Sequence, residues 1–136
     1  MSLFSFSGTQ PKDLGVNNGQ LKDCPNTPNC VNSQAPASDK EHAIAPLTYS
    51  GSATDAINRL KQIIEGMERS TINEVTDNYL YAEFSSKLMG FVDDVEFYAP
   101  PGESVIHTRS AARLGKSDLG VNRNRTEEIR SQFNQG

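Results

Sequence analysis

The stretch TINEVTDNYLYAEFSSKLMGFVDDVEFY, residues 71–98, alternates apolar and polar side chains and is interrupted by turn signals. Alternation with a period of two is typical of β-strands that bury one face. The dipeptide Asp77-Asn78 separates Thr71–Val75 from Tyr79–Ser85, and SKLMG leads into the next run, GFVDDVEFY. The segment APPGE then leads into SVIHTRSA. Three successive hairpin connections predict an antiparallel β-meander.

A helix is predicted on each side of this meander. Apolar residues from Ala53 to Met67 recur at spacings of three and four, which places them on one face of a helix. Ser52 stands at its N-cap position, and Asp55 lies in its first turn. A final helix is predicted to begin near Asn122, with that side chain as its cap. The fold class is therefore α+β, with helices packed on one face of the sheet.

Residues 1–50 are rich in Gly, Pro, Asn, Ser and Gln and show no sustained period, which predicts an irregular N-terminal arm. The arm contains too many apolar residues for a free linker, so we expect it to dock at least in part. These residues are Phe4, Phe6, Leu14, Val16, Leu21, Val31, Ile44 and Leu47. The predicted organisation is one domain overall, with the arm over 1–50 and an α+β core over 51–136.

Charge and hydropathy exclude two classes of protein. The net charge of -4 and the pI of about 5.1 argue against nucleic-acid binding, which needs a basic surface. No run of about 18 apolar residues is present, so no transmembrane segment is predicted in this chain. Residues 74–103 are mainly acidic and residues 109–130 mainly basic, and we expect the two stretches to neutralise each other within the fold.

The adjacent aspartates at the centre of GFVDDVEFY fall on opposite faces of the predicted strand. Asp93 shares a face with the most apolar residues, where a lone carboxylate is costly and needs a partner. If the five-residue turn pairs Tyr98 with Ser104, Asp93 lies opposite Arg109, and the two can form an ion pair. A slip of one residue would instead place Asp94 opposite Arg109.

Three interpretations of this cluster remain open. The first is a buried ion pair that fixes the strand register. The second is a polar pocket for a bound molecule, formed by Asp93, His107, Arg109 and either Glu83 or Arg113. The third is a cation site formed by Glu83, Asp93 and Asp94, since hard cations prefer carboxylate oxygens. The sequence carries no specific catalytic, metal or phosphate-loop motif, and we predict no metal and no cofactor.

The segment CPNTPNC brings Cys24 and Cys30 close in sequence, with turn-forming Pro and Asn residues between them. A disulfide here would contribute roughly 2.4 kcal/mol in the chain-entropy model. Zinc would need two further ligands, and the spacing is longer than usual for zinc or for a redox pair. Cysteine usage therefore favours an oxidising compartment. The segment MSLFSFSGTQPKDLG lacks signal-peptide features, which leaves a cytoplasmic protein or a mature exported chain.

The last predicted helix carries Arg123 and Arg125 in its first turn, where the helix dipole disfavours cations. A negative group should therefore lie nearby. The acidic meander is one candidate, and an anionic group of a ligand bound near the helix start is another.

Four motifs, CPNTPNCVNSQA, IAPL, YAEFSSKLMGFVDDVEFY and RSAARLGKSDLGVNRNRTEEIR, resemble the bacterial and plastid family catalogued as domain of unknown function fourteen ninety-nine. The resemblance runs from about Leu21 to Arg130. It implies a single-domain module, in many members preceded by an export signal or membrane segment, and it implies no established activity. It also implies a shared motif set around Cys24, Cys30, Asp93, Asp94, Arg109, Arg113, Asp118, Asn122 and Arg123.

These observations favour a non-catalytic envelope or lumen module that binds a small anionic or lipid-like molecule or a protein partner. The periplasm, the thylakoid lumen or a membrane-associated location is favoured over the cytoplasm. One alternative is a small hydrolase or isomerase with Asp93 or Asp94 as base and His107 transferring a proton. Another is a purely structural polar cluster. The candidate ligand-binding residues are Asp93, Asp94, His107, Arg109, Arg113, Asn122 and Arg123.

Overall fold

The computed structural model describes residues 8–86 and 90–135. Their elements in chain order are β1 (Cys30–Asn32), β2 (Leu47–Thr48), α1 (Ala53–Glu65), β3 (Ser70–Val75), β4 (Tyr79–Ser85), β5 (Val92–Tyr98), β6 (Val105–Ala112) and α2 (Val121–Gln135). The arm residues Phe4 and Phe6, and positions 87–89 of the predicted SKLMG turn, lie outside the described residues.

The six strands form an antiparallel sheet in the order β1-β6-β5-β4-β3, and β2 pairs with the first residues of β6. Strands β3 to β6 follow one another in sequence and in space, which confirms the predicted meander. β1 and β2 come from the N-terminal arm and were not predicted, because three residues and two residues are too few to show a period. The α+β fold class is confirmed.

Both helices pack on one face of the sheet. The N-cap of α1 is confirmed, since the Ser52 side chain accepts a hydrogen bond of 3.0 Å from the Asp55 amide. The apolar stripe of α1 and two buried residues of α2, Ile129 and Phe133, meet the inward side chains of β4, β5 and β6. This helix side of the sheet contains the main hydrophobic core.

The arm crosses the opposite face of the sheet. Leu21 is buried there and packs with Leu14 against three tyrosines of the meander. Farther along the arm, Val31, Ile44 and Leu47 are also buried, whereas Val16 is exposed. The predicted docking of the arm is therefore confirmed for most of the described anchors. The sheet is covered on both faces.

The predicted register of the last hairpin is wrong by three residues. Tyr98 pairs with His107 instead of Ser104, so Asp93 lies opposite Ala112 and Glu96 lies opposite Arg109. The physical reason is that the connection is longer than the predicted five-residue turn: it runs from residue 99 to residue 106, and its Pro100 and Pro101 have no amide hydrogen to donate to a strand partner. Because the shift is an odd number of residues, Arg109 lies on the opposite face of the sheet from Asp93.

The predicted cap of α2 is also wrong. Asp118 caps this helix, because its carboxylate accepts hydrogen bonds from the amides of Gly120, at 2.9 Å, and Asn122, at 3.0 Å. Asn122 lies inside the first turn and is fully buried. An aspartate four residues upstream can reach this amide because the loop between them turns back on itself.

Candidate functional site

A groove lies at the end of the sheet where β4, β5 and β6 approach the start of α2. Its volume is about 360 Å³, and we call it the end groove. The residues that matter for its chemistry are Arg69, Phe91, Asp93, Leu114, Val121 and Arg125. They come from the β5 and β6 ends, the loop after β6 and the first turns of α2, with Arg69 just ahead of β3. The fold thus brings residues that are distant in sequence to one concave surface.

Asp93 and Arg125 form an ion pair within this groove, with 2.8 Å between their charged atoms. Burial raises the pKa of Asp93, and the positive charge of Arg125 opposes that rise. Arg125 also stacks 4.7 Å above the centre of the Phe84 ring. The acidic meander therefore neutralises this cation near the start of α2, as one of the two predicted alternatives required.

A buried polar cluster centred on Asn122 lies next to the ion pair of Asp93 and Arg125. The Asn122 amide group donates to Asp118 at 2.8 Å and accepts from Arg125 at 3.0 Å and from Ser110 at 2.5 Å. Burial alone raises the pKa of Asp118, but the hydrogen bonds from Asn122 and Gly120 outweigh it and lower that pKa. Asn122 thus fixes the positions of the Asp118 carboxylate and the Arg125 guanidinium beside the groove.

Apolar side chains concentrate around the end groove. Six large apolar side chains are exposed among the described residues, and four of them lie here: Phe91, Leu114, Leu119 and Val121. Leu119 lies in the loop between the lining residues Asp118 and Val121, and it is 93% exposed. Isolated exposed apolar residues need no explanation, but a contiguous group of them is typical of an interaction site.

The backbone around the groove adopts a conformation that side chains disfavour. Three non-glycine residues of the described chain have a positive φ, and two of these are Arg69, at 58°, and Leu119, at 54°. The third is Asn18, a residue type that tolerates this conformation. Such conformations are costly and cluster at functional sites.

Four other predicted site residues lie on the arm-covered face: Asp94, His107, Arg109 and Arg113. Tyr81 donates a hydrogen bond of 2.5 Å to Asp94, and Arg113 pairs with the same carboxylate and with Glu83. Hydrogen bonds from Arg113 to the two carboxylates raise the pKa of that arginine, Asp94 contributing most. The pocket predicted from Asp93, His107, Arg109 and Glu83 or Arg113 is therefore not assembled. The predicted cation set is divided as well, because Asp93 faces the helices while Glu83 and Asp94 face the arm.

Arg109 and Glu96 form the second part of this face. Tyr79 donates a hydrogen bond of 2.5 Å to Glu96, and the Gly15 amide donates another of 2.7 Å. Burial raises the pKa of Glu96 and lowers that of Arg109. Arg109 donates at 3.4 Å to the Asp23 carbonyl of the arm.

His107 lies too far from the two aspartates to act with them. It pairs with Tyr98, four residues along β5 from Asp94, which corresponds to about 14 Å. Its Nδ1 lies 3.0 Å from the Ser33 hydroxyl oxygen, and burial lowers the pKa of its imidazole. Ser33 Oγ in turn accepts from the Thr108 amide. The geometry does not favour the acid–base alternative.

Arg123 contacts the arm through backbone carbonyl oxygens, at 3.0 Å from Ala43 and 3.1 Å from Glu41. No cluster of His, Cys, Asp and Glu within residues 8–86 and 90–135 could bind a metal ion. Of the predicted site residues, Asp93 alone lines the end groove. The ligand-binding role of the others stays a prediction.

The predicted disulfide between Cys24 and Cys30 is confirmed, with a Cα–Cα distance of 5.7 Å. His42 is buried beside this loop, and its two ring nitrogens lie 2.8 Å from the Thr27 carbonyl and 2.8 Å from the Asp39 carboxylate. Both partners accept hydrogen bonds, so the arrangement favours the doubly protonated ring. Burial lowers the pKa of His42, but these two interactions outweigh it and raise the pKa above its usual value.

The raised pKa predicts a pH-dependent stability. The contribution of protonated His42 is fully present below pH 6.5, its ordinary pKa, and is lost as the pH rises through the higher pKa of the folded state. We expect the Tm advantage of the wild-type protein over His42→Gln to shrink between about pH 5.5 and pH 8.5. Circular dichroism melting curves measure this difference. His107→Gln is the control, and its lowered pKa requires a trend of opposite sign; parallel trends for both variants would contradict the assignment.

Sequence reasoning missed several parts of the site. Arg125 was considered only as a charge near a helix start, and no spacing rule pairs it with Asp93. Arg69 lies just before β3 and gave no signal at all. The exposed apolar residues of GKSDLGV could have been noticed, because Leu119 and Val121 interrupt an otherwise polar loop.

Comparisons with known proteins agree with the motifs. None of the helices within the described residues has the length and apolar character needed to cross a membrane. No curated protein matches the sequence. A family model described as protein of unknown function (DUF1499) matches residues 20–133. Since that match covers most of the 136 residues, the chain belongs to the DUF1499 family of proteins of unknown function.

Proposed function

We propose that this protein is a non-catalytic binding module and that its end groove binds a small amphipathic anion. The observation that carries the proposal is that several exposed apolar side chains line one groove, next to the ion pair of Asp93 and Arg125 that Asn122 holds in place. A volume of about 360 Å³ suits a small molecule. Apolar walls with a few oriented polar groups are the usual composition of such sites.

The apolar part of the ligand would lie against Phe91, Leu114 and Val121. These side chains line the groove from three different segments of the chain. Burying them would remove apolar surface from water, at about 25 cal/mol for each Å². Because the loop after β6 is tied to α2 through Asp118, little ordering of this wall is required on binding.

Arg69 would bind the anionic group. Its side chain is 43% exposed, and its ion pair with the adjacent Glu68 is itself highly exposed and therefore weak. Among the described lining residues, Arg125 is already neutralised by Asp93, which leaves Arg69 as the cation able to exchange its partner. This assignment replaces Arg109, Arg113 and Arg123 as the proposed anion contacts.

The arrangement of the acids supports a non-catalytic role. Asp93 pairs with Arg125, and Asp94 binds both Tyr81 and Arg113. A general base needs a free lone pair within reach of the substrate. Asp94 is out of reach on the opposite face of the sheet, and Asp93 is held in an ion pair with Arg125 that opposes the rise of its pKa.

The proposal is tested by titrating the protein with 8-anilino-1-naphthalenesulfonate (ANS), a fluorescent amphipathic anion. We expect Val121→Ser and Arg69→Gln each to weaken ANS binding by about fivefold to tenfold. Val121→Ser removes an apolar contact to the rings of ANS, and Arg69→Gln removes the positive charge that pairs with its sulfonate. Fluorescence enhancement at fixed protein concentration measures the Kd.

Two matched variants serve as controls. Val75→Ser removes an equivalent side chain on β3, which is 37% exposed against 45% for Val121. Lys61→Gln removes an exposed cation from α1. Both should leave the Kd of ANS unchanged. Equal weakening by Val75→Ser and Val121→Ser, or the absence of saturable binding, would refute the proposal.

A further inference from the structure

The disulfide loop and the end groove are in direct contact. Asn29 immediately precedes Cys30, is buried, and donates from its side-chain amide to the Gly115 carbonyl at 2.9 Å. Its backbone carbonyl accepts from the Ala112 amide at 3.0 Å and from Asn122 at 3.4 Å. Ala112 and Gly115 both line the groove.

The orientation of this asparagine depends on the loop that the disulfide closes. The Thr27 hydroxyl donates to the Asn29 side-chain oxygen at 2.8 Å, which fixes the amide with its nitrogen towards Gly115. Thr27 is positioned in turn by the disulfide across its loop and by His42. A continuous set of contacts therefore joins the two sulfur atoms to the wall of the groove.

We propose that the oxidation state of the Cys24–Cys30 pair controls ligand binding at the end groove. This inference rests on the function proposed above. When the disulfide is closed, Asn29 is oriented and the loop after β6 keeps the shape that binds. When it is open, residues 24–28 gain conformational freedom, Thr27 leaves Asn29, and the Gly115 carbonyl loses its donor.

The chemical step is a dithiol exchange. One thiolate of a dithiol reductant attacks a sulfur of the disulfide and forms a mixed disulfide, and the second thiolate of the reductant displaces the protein sulfur. Two electrons and two protons pass to the protein, giving two free thiols at Cys24 and Cys30. The reductant leaves as its own disulfide.

The experiment compares oxidised protein with protein reduced by dithiothreitol, using two measurements. Hydrogen exchange reports the Gly120 and Val121 amides, which bond to Asp118 and mark the order of the loop. ANS titration reports the groove. On reduction we expect exchange at these amides to accelerate about tenfold and the Kd of ANS to rise by about the same factor.

A pair of variants keeps the test valid if reduction unfolds the protein. Asn29→Ala breaks the link while leaving the disulfide closed, and we expect it to reproduce both effects. Asn26→Ala changes an exposed asparagine of the same loop and should reproduce neither. Circular dichroism establishes that each variant is folded.

The failures of the two proposals can be told apart. If the oxidised protein does not bind ANS, the proposed function is wrong and this inference falls with it. If oxidised protein binds ANS but folded reduced protein and Asn29→Ala bind it equally well, the groove exists and redox control is wrong. Unchanged exchange at Gly120 and Val121 in both would also overturn the coupling.

Discussion

Arg113→Met is expected to lower the free energy of unfolding by about 3–5 kcal/mol, because it leaves buried carboxylates without their counter-charge. The side chains of Arg113 and Asp94 are 6% and 2% exposed. Arg113 also bonds to Glu83 and to the Tyr81 hydroxyl, so one substitution removes the partner of three groups. Urea denaturation at neutral pH, followed by circular dichroism, measures the loss.

Lys22→Met is the control for this prediction. Lys22 pairs with Asp13 at 2.9 Å, but their side chains are 37% and 64% exposed, and such a solvent-exposed pair contributes less than about 1 kcal/mol. A loss for Arg113→Met as small as that for Lys22→Met would show that the network on the arm-covered face does not stabilise the fold.

Asn122→Ala is expected to cost about 2–4 kcal/mol, since it leaves several buried polar groups without partners. Its side chain contacts Asp118, Ser110, Arg125 and the Asn29 carbonyl, and it is fully buried. Loss of an ordinary N-cap costs only about 1 kcal/mol, so the magnitude separates the observed role from the capping role that the sequence predicted. The same denaturation experiment measures it.

The neighbouring Asn124→Ala provides a matched control on the same helix. Asn124 is exposed, and alanine has the higher helix propensity. The free energy of unfolding of Asn124→Ala should therefore differ from that of the wild-type protein by less than about 0.5 kcal/mol. If the two variants were equally stable, Asn122 would not organise the polar cluster.

The elements of this fold could be predicted because their signals are local. Ser52 and the stripe of α1 specify a helix within one continuous segment. In the same way, alternation placed Val95 and Phe97 on one face and Glu96 and Tyr98 on the other, and the structure confirms both sets. These patterns depend only on neighbours in sequence.

The register of β6 could not be predicted because the length of the connection from β5 is not fixed by its turn residues. The structure has a connection from residue 99 to residue 106, whereas the prediction ended the turn at Glu103. Pro100 and Pro101 indicate a turn, but they do not determine where strand pairing resumes. The predicted partner of Asp93 was wrong for this reason.

The candidate site was less predictable than the fold. Asp93 was identified because a carboxylate among apolar residues is unusual, and that argument is local. Its true partner Arg125 lies on α2, so the pair depends on how the helix packs on the sheet. Arg69 and the apolar group around Leu119 depend on where three loops meet, which no single segment encodes.

The position of β1 and β2 beside β6 has a consequence for synthesis of the chain. A ribosome makes the arm first, yet both of its strands need β6 as a partner, and β6 ends at Ala112. The arm therefore cannot dock until roughly sixty further residues, up to the end of β6, have been synthesised. During that interval Cys24 and Cys30 are in solvent, although Cys30 is fully buried in the finished protein. The two thiols are thus more accessible to an oxidant in the incomplete chain than in the folded protein.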